Sequence, residues 1–129
     1  MQLKEVVTMP NQLEEGILYV SYEYSTAAHL CACGCGAKIR TPLGPTEWNI
    51  KNTKDGPSVW PSIGNWQQKC RSHYIIKSGL ILWEENWEDE QIIIGRNKEN
   101  LRRETYYKKK YTKKSLLRKI LVWLQNILK

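Results

Sequence analysis

His29-Leu30-Cys31-Ala32-Cys33-Gly34-Cys35-Gly36 holds three of the chain's four cysteines within five residues. The fourth, Cys70, lies in a second dense stretch, Pro61-Ser-Ile-Gly-Asn-Trp66 running on to Cys70-Arg-Ser-His-Tyr74. Side chains two apart on an extended chain point the same way, at a separation too long and stiff for an easy disulfide. Thiolates so arranged, with Gly34 and Gly36 letting the backbone bend, suit a tetrahedral metal ion. A fold that joins these two stretches has to bring loops distant in sequence to one point.

Length and charge bound the rest. At 129 residues the chain holds one modest core. Phenylalanine is absent, so six Trp and seven Tyr carry the aromatic load. No apolar run follows Met1-Gln-Leu-Lys-Glu5, and no stretch reaches the roughly 20 apolar residues that span a bilayer. The expected compartment is the cytoplasm, where thiols stay reduced and serve metals or catalysis. The net charge of +7 is unevenly spread: residues 1–95 hold 8 Lys+Arg against 11 Asp+Glu, and residues 96–129 hold 12 against 2. The body is mildly acidic and the basic excess lies in the tail, so the basic pI says little about what the body binds.

Along the chain, Val6–Thr8 can open a strand and Ile17–Tyr24 reads as another, rich in β-formers. Ala27–Cys31 runs into the cysteine cluster and Ala37–Thr41 leads out. Trp48–Lys51 and Ser58–Trp60 read as a hairpin joined through Lys54-Asp-Gly-Pro57. Residues 70–77 and 80–83 form a second hairpin around Ser78-Gly79. From Glu84 the mode changes to acids suited to a helix N-terminus, and residues 88–111 carry no proline and only Gly95. From Lys114 an amphipathic helix of about four turns is expected. Leu116, Leu117, Ile120, Leu121, Trp123, Leu124, Ile127 and Leu128 fall on one arc, opposite Arg118, Lys119, Gln125, Asn126 and Lys129. The fold class is α+β: a small, mostly antiparallel β domain with a zinc knuckle, then C-terminal helices. Residues 1–111 form the zinc-stabilised catalytic domain and 112–129 a basic amphipathic helix.

Cys31, Cys33, Cys35 and Cys70 make a four-thiolate zinc site possible, and His29 and His73 bring the candidate ligands to six for four places. The plain alternative is buried free thiols, against which three cysteines in five residues speak. Ser62, Ser72 and His73 supply a second chemistry. A serine hydroxyl needs a base to become a nucleophile, and histidine is the natural base near neutral pH. On a strand Ser72 and His73 point to opposite faces, so Ser62, read as lying in a loop before Gly64, makes the better dyad with His73. Asn65 or a backbone N–H near Gly64 is a candidate oxyanion donor. Ser72 serves if the strand bulges. In the tail, Lys108-Lys-Lys110, Lys113 and Lys114 with neighbouring tyrosines could meet nucleic acid, and the last helix an anionic membrane. The stronger reading of both is a solvated basic side and an apolar face docked on protein.

Taken together, the pattern His-Leu-Cys-x-Cys-Gly-Cys-Gly, Thr41-Pro-Leu43, Trp48, Pro61–Trp66, Cys70-x-Ser-His-Tyr74 and Gly79-Leu-Ile-Leu-Trp83 resembles a bacterial family. Its members are encoded beside ubiquitin-like proteins, their activating and conjugating enzymes and a metallopeptidase, in anti-phage operons. The resemblance spans about residues 10–110, is specific over 29–36 and 61–83, and leaves the helix from 114 as an addition. It implies a ubiquitin-like-protein protease using serine, with Ser62 or Ser72 and His73 in its second motif and the cysteines as a structural zinc site. It implies a bacterial ubiquitin-like protein as substrate and the operon's activating and conjugating enzymes as partners. The alternative is a non-catalytic, zinc-stabilised module that binds a protein or nucleic acid. A hydrolytic zinc is disfavoured, since the chain lacks His-Glu-x-x-His.

Overall fold

In the computed structural model, which describes residues 1–128, the chain forms eight strands and one helix. They are β1 (Gln2–Glu5), β2 (Ile17–Ser21), β3 (Thr26–Leu30), β4 (Lys38–Pro42), β5 (Asn49–Thr53), β6 (Gly56–Gly64), β7 (His73–Lys77), β8 (Leu80–Trp83) and α1 (Asp89–Ile127). The strands make two four-stranded sheets, β1-β2-β3-β4 and β5-β6-β7-β8. All pairings are antiparallel except β1 with β2. The fold is the α+β class expected, with one continuous helix in place of several.

Both sheets contribute to one core: Leu18, Val20, Ala27 and Ile39 from the first, and Val59, Ile63, Tyr74 and Ile76 from the second. The alternation is legible in β7, where Tyr74 and Ile76 are buried and Ile75 between them is not. Burying Tyr74, Leu18, Ile63 and Ile76 stabilises the fold by about 1.5–3 kcal/mol for each aliphatic side chain. The Met1 amine donates to the Gly79 carbonyl at 2.7 Å, which ties the first strand to the β7–β8 turn. That turn has positive φ at both Ser78 and Gly79, the geometry of a two-residue hairpin loop.

Two strands lie differently from expectation. The first strand is Gln2–Glu5 rather than Val6–Thr8, because it pairs in register with Ile17–Val20. The stretch 61–64, read as a loop, is the end of β6. Proline there is accommodated by a bulge: Val59 faces Ile76 and Ile63 faces Tyr74, so four residues on β6 are spanned by two on β7.

The chain divides into two compact units, at Glu88 and Asp89. Helix α1 runs unbroken through residue 111, where the sequence was divided, since nothing between 88 and 127 stops a helix. Asp89 and Glu90 occupy its first turn, as expected of a helix N-terminus. The apolar arc from Leu116 to Leu128 is exposed, and Lys129 lies outside the described residues. Among the described residues, no helix is long and apolar enough to cross a membrane.

Candidate functional site

Strand β7 organises the site because its alternation sends successive side chains to opposite faces. Ser72, just before the strand, and Tyr74 point to one side and His73 to the other. Each side has its own chemistry.

On the first side lie the cysteines. The sulfurs of Cys31, Cys33, Cys35 and Cys70 all lie within 4.8 Å of one another. The four are free thiols, and among their contacts Cys31–Cys33 is 3.4 Å, Cys31–Cys70 3.8 Å and Cys35–Cys70 3.8 Å. A tetrahedron with zinc–sulfur bonds of about 2.3 Å has sulfur–sulfur edges of about 3.8 Å, so the donor set fits such an ion. The knuckle is a tight turn in which the Gly34 N–H donates to the Cys31 carbonyl and the Cys31 N–H to the Ala37 carbonyl. Gly34 and Gly36 take φ of 86° and 82°, which side-chain-bearing residues rarely adopt. Cys70 arrives from the turn before β7, where Arg71 has a positive φ.

Ser72 belongs to this side. Its buried hydroxyl lies 3.0 Å from Cys31 Sγ and 3.3 Å from Cys70 Sγ, and it accepts from Asn65 Nδ2 at 3.0 Å. Asn65 Nδ2 also lies 3.5 Å from Cys31 Sγ and from the Tyr74 hydroxyl. The bond with Ser72 is the main reason the Cys70 thiol is lowered to about 6. Cys33 moves the other way, to about 12: its bond with the Cys35 backbone favours the thiolate, but the Cys35 and Cys31 side chains hold its proton more strongly. A divalent cation at the centre reverses that competition and favours four thiolates.

His29, a candidate ligand by sequence, faces away from the sulfurs. Its Nε2 lies 2.6 Å from the Tyr74 hydroxyl, and burial pushes its pKa down to about 4. The Ala32 N–H and Asn65 Nδ2 both donate to that hydroxyl, so the phenol proton goes to His29 Nε2. Burial likewise pushes the Tyr74 phenol well above its ordinary value. His29 and Tyr74 thus form a neutral buried pair at the back of the cluster.

On the opposite face, His73 Nε2 lies 2.9 Å from Ser62 Oγ. Gly64 is paired with His73 across the ladder, so Ser62, two residues earlier, is the diagonal neighbour of the imidazole. The other ring nitrogen, Nδ1, donates to the Glu85 carbonyl at 2.8 Å, which leaves Nε2 free to accept the Ser62 proton. The Glu85 carbonyl is held in place because the Glu84 N–H donates to the His73 carbonyl at 2.8 Å. Trp66 and Trp87 stack on each other at 5.5 Å and meet the imidazole edge-on at 4.9 and 5.2 Å. A Cβ on Gly64 would lie 2.5 Å from the Trp66 indole, so glycine is what admits that ring.

Of the residues singled out by sequence, Ser62 and His73 meet, and the four cysteines meet. Ser72 does not reach His73: the extra residues are in β6 rather than β7, so Ser72 keeps the face opposite the imidazole. His73, weighed as a ligand, is bonded to Ser62 and Glu85 instead. Asn65, weighed as an oxyanion donor, spends its amide on the sulfur side. Sequence reasoning missed Glu85, which acts through its backbone and so leaves no residue signal. It also missed the Trp66–Trp87 pair, whose only trace is the unusual tryptophan content.

The model of the bacterial ubiquitination-like system serine protease family (BubE) matches residues 5–84. No curated protein and no solved structure matches the chain. The match runs from the last residue of β1 through β8 and takes in Ser62, Ser72, His73 and the four cysteines, and the chain belongs to this family.

Proposed function

We propose that this family member is a serine-type peptidase that processes or removes a bacterial ubiquitin-like protein. Ser62 is the nucleophile, His73 the base, and a structural zinc sits on Cys31, Cys33, Cys35 and Cys70. The observation that carries the reading is the line Ser62 Oγ–His73 Nε2 with His73 Nδ1–Glu85 carbonyl, at 2.9 and 2.8 Å. It has the order of nucleophile, base and orienting acceptor that a serine peptidase needs.

His73 Nε2 takes the Ser62 proton as the oxygen attacks the carbonyl of the scissile bond. The imidazolium then returns the proton to the leaving amine, and water repeats the cycle on the acyl-enzyme. The acceptor behind His73 is a neutral carbonyl rather than a carboxylate, so the imidazolium gains less from it. Trp66 and Trp87 pack at steep angles around the ring and shield it from water. The bulge leaves residues of β6 outside the ladder, and the Ser62 N–H there is the candidate oxyanion donor, in place of Asn65.

A zinc ion bound by the knuckle cysteines and Cys70 would supply the cross-link between the knuckle and the turn that precedes His73. Cys31, Cys33, Cys35 and Cys70 would hold the ion, and a set of four protein thiolates is the pattern of a structural rather than a hydrolytic site. The protein acts in the bacterial cytoplasm, beside the activating and conjugating enzymes of an antiviral defence system.

The test is cleavage of a ubiquitin-like precursor from the same operon by wild type, Ser62→Ala, Ser72→Ala and His73→Ala, with zinc content measured on each. Ser62→Ala and His73→Ala are expected to lose at least a thousandfold in kcat with zinc retained. Full activity in Ser62→Ala sinks the reading, and precursor binding without cleavage by wild type favours the zinc-stabilised binding module.

A further inference from the structure

The face of the second sheet that carries Ser62 and His73 turns away from the core. On β6, Ser62 meets His73 and Trp60 lines a pocket with Ile75, which puts both on the outer side. On β7, core-facing Tyr74 and Ile76 place Ile75 and Lys77 beside His73. On β8, Leu82 stands opposite Ile75. Trp60 is 66% exposed and Leu82 44% exposed, which is unusual for side chains of this size. They line a groove of about 460 Å³ with Ile75, and Lys51 and Lys77 line it too.

Ser62 and His73 do not line the groove themselves; they lie two residues along the chain from its lining residues Trp60 and Ile75. Trp60 precedes Ser62 by two residues and Ile75 follows His73 by two, on the same outer face. From His73 to Ile75 strand β7 is regular, and two residues of extended chain cover about 7 Å there and in a substrate laid along it. Building on the peptidase reading, we infer that this groove is the specificity subsite of the protease. It receives an apolar side chain of the ubiquitin-like substrate, flanked by a carboxylate, about two residues from the scissile bond. The apolar floor offers burial, and the lysines oppose a negative charge at its edge. The specificity residues are Trp60, Ile75 and Leu82 for the side chain, and Lys51 and Lys77 for the charge.

Two readouts separate the groove from the dyad. A fluorophosphonate labels an activated serine without filling the groove. Cleavage of the precursor requires both. Trp60→Ala and Leu82→Asp, both at exposed positions, are expected to keep zinc and to label Ser62 at the wild-type rate. Their kcat/KM for the precursor is expected to fall at least tenfold, chiefly through KM. The double variant Lys51→Glu with Lys77→Glu is expected to lose severalfold in kcat/KM at low salt and to recover as salt rises. Wild-type kcat/KM in the groove variants overturns the inference while the peptidase stands. Loss of labelling in step with cleavage also overturns it, since the groove would then act through the dyad. Wild type that neither labels nor cleaves takes down the peptidase reading, and the inference with it.

Discussion

Replacing Ser72 with alanine deletes a hydroxyl that touches two of the four sulfurs and nothing on the His73 side. The oxygen lies 3.0 Å from Cys31 Sγ and 3.3 Å from Cys70 Sγ, and it accepts from Asn65 at 3.0 Å. With a metal bound, the hydroxyl proton goes to one thiolate, a bond to a charged acceptor of about 1.5–3 kcal/mol. Loss of an outer-shell partner lowers metal affinity by about 10–100-fold, or about 1.4–2.8 kcal/mol, and the two ranges agree. Asn65 does not become an unsatisfied buried donor, because Cys31 and Tyr74 remain within 3.5 Å of its amide. Ser72→Ala is therefore expected to fold and cleave, and to release zinc to a chromophoric chelator about 10–100-fold more readily. The assay is competitive titration of the loaded protein, with cleavage followed at saturating zinc. If the variant keeps its zinc and loses cleavage, Ser72 is the nucleophile and the division of labour between the faces of β7 is wrong.

Other outcomes follow from the same geometry. Gly64→Ala sets a Cβ 2.5 Å from the Trp66 indole, so the ring must leave His73. The expected cost is about 1–3 kcal/mol in stability, with a shift in tryptophan fluorescence and slower fluorophosphonate labelling. Cys33→Ser, or chelation of the wild type, should release the ion, lower Tm, and abolish cleavage by freeing the turn before His73. The His29 pKa lowered to about 4 means that the unfolded chain binds more protons between that value and 6.5. Its contribution is therefore full above pH 6.5 and is lost as pH falls towards 4, by at most about 1.4 kcal/mol per pH unit. Urea denaturation of wild type and His29→Gln across pH 7 to 4.5 measures this as a difference, and parallel curves refute it.

Much of this was legible because it rests on local spacing. The cysteine cluster, the two hairpins around Lys54-Asp55 and Ser78-Gly79, and the change to helix after Glu84 are all patterns within a dozen residues. The meeting of Ser62 with His73 was partly legible, since alternation on a strand argues against Ser72. The bulge in β6 was not, because Pro61 reads as a loop marker unless the partner strand is known to skip two residues. Nor was the role of Glu85, which depends on where the chain runs after β8 rather than on its carboxylate.

The two chemistries meet only through the backbone of β7. Ser72 touches sulfur and His73 touches the Ser62 hydroxyl, yet one peptide unit joins them. A metal that fixes Cys70 fixes the peptide leading into His73, with no side-chain contact between ion and dyad. Asn65 extends the link: its N–H donates to the Ser72 carbonyl at 2.8 Å while its side chain reaches Cys31 and Ser72. The same residue directly follows the strand that carries Ser62. Asn65→Asp keeps the size but replaces the amide donor with an oxygen facing sulfur, where a carboxylate and thiolates repel. It is expected to weaken zinc binding more than Ser72→Ala does, and to lower kcat as well, because β6 loses its tie to Cys31. Equal zinc affinity in the two variants would mean that the amide holds only the strand, and that the ion reaches the dyad through Cys70 alone.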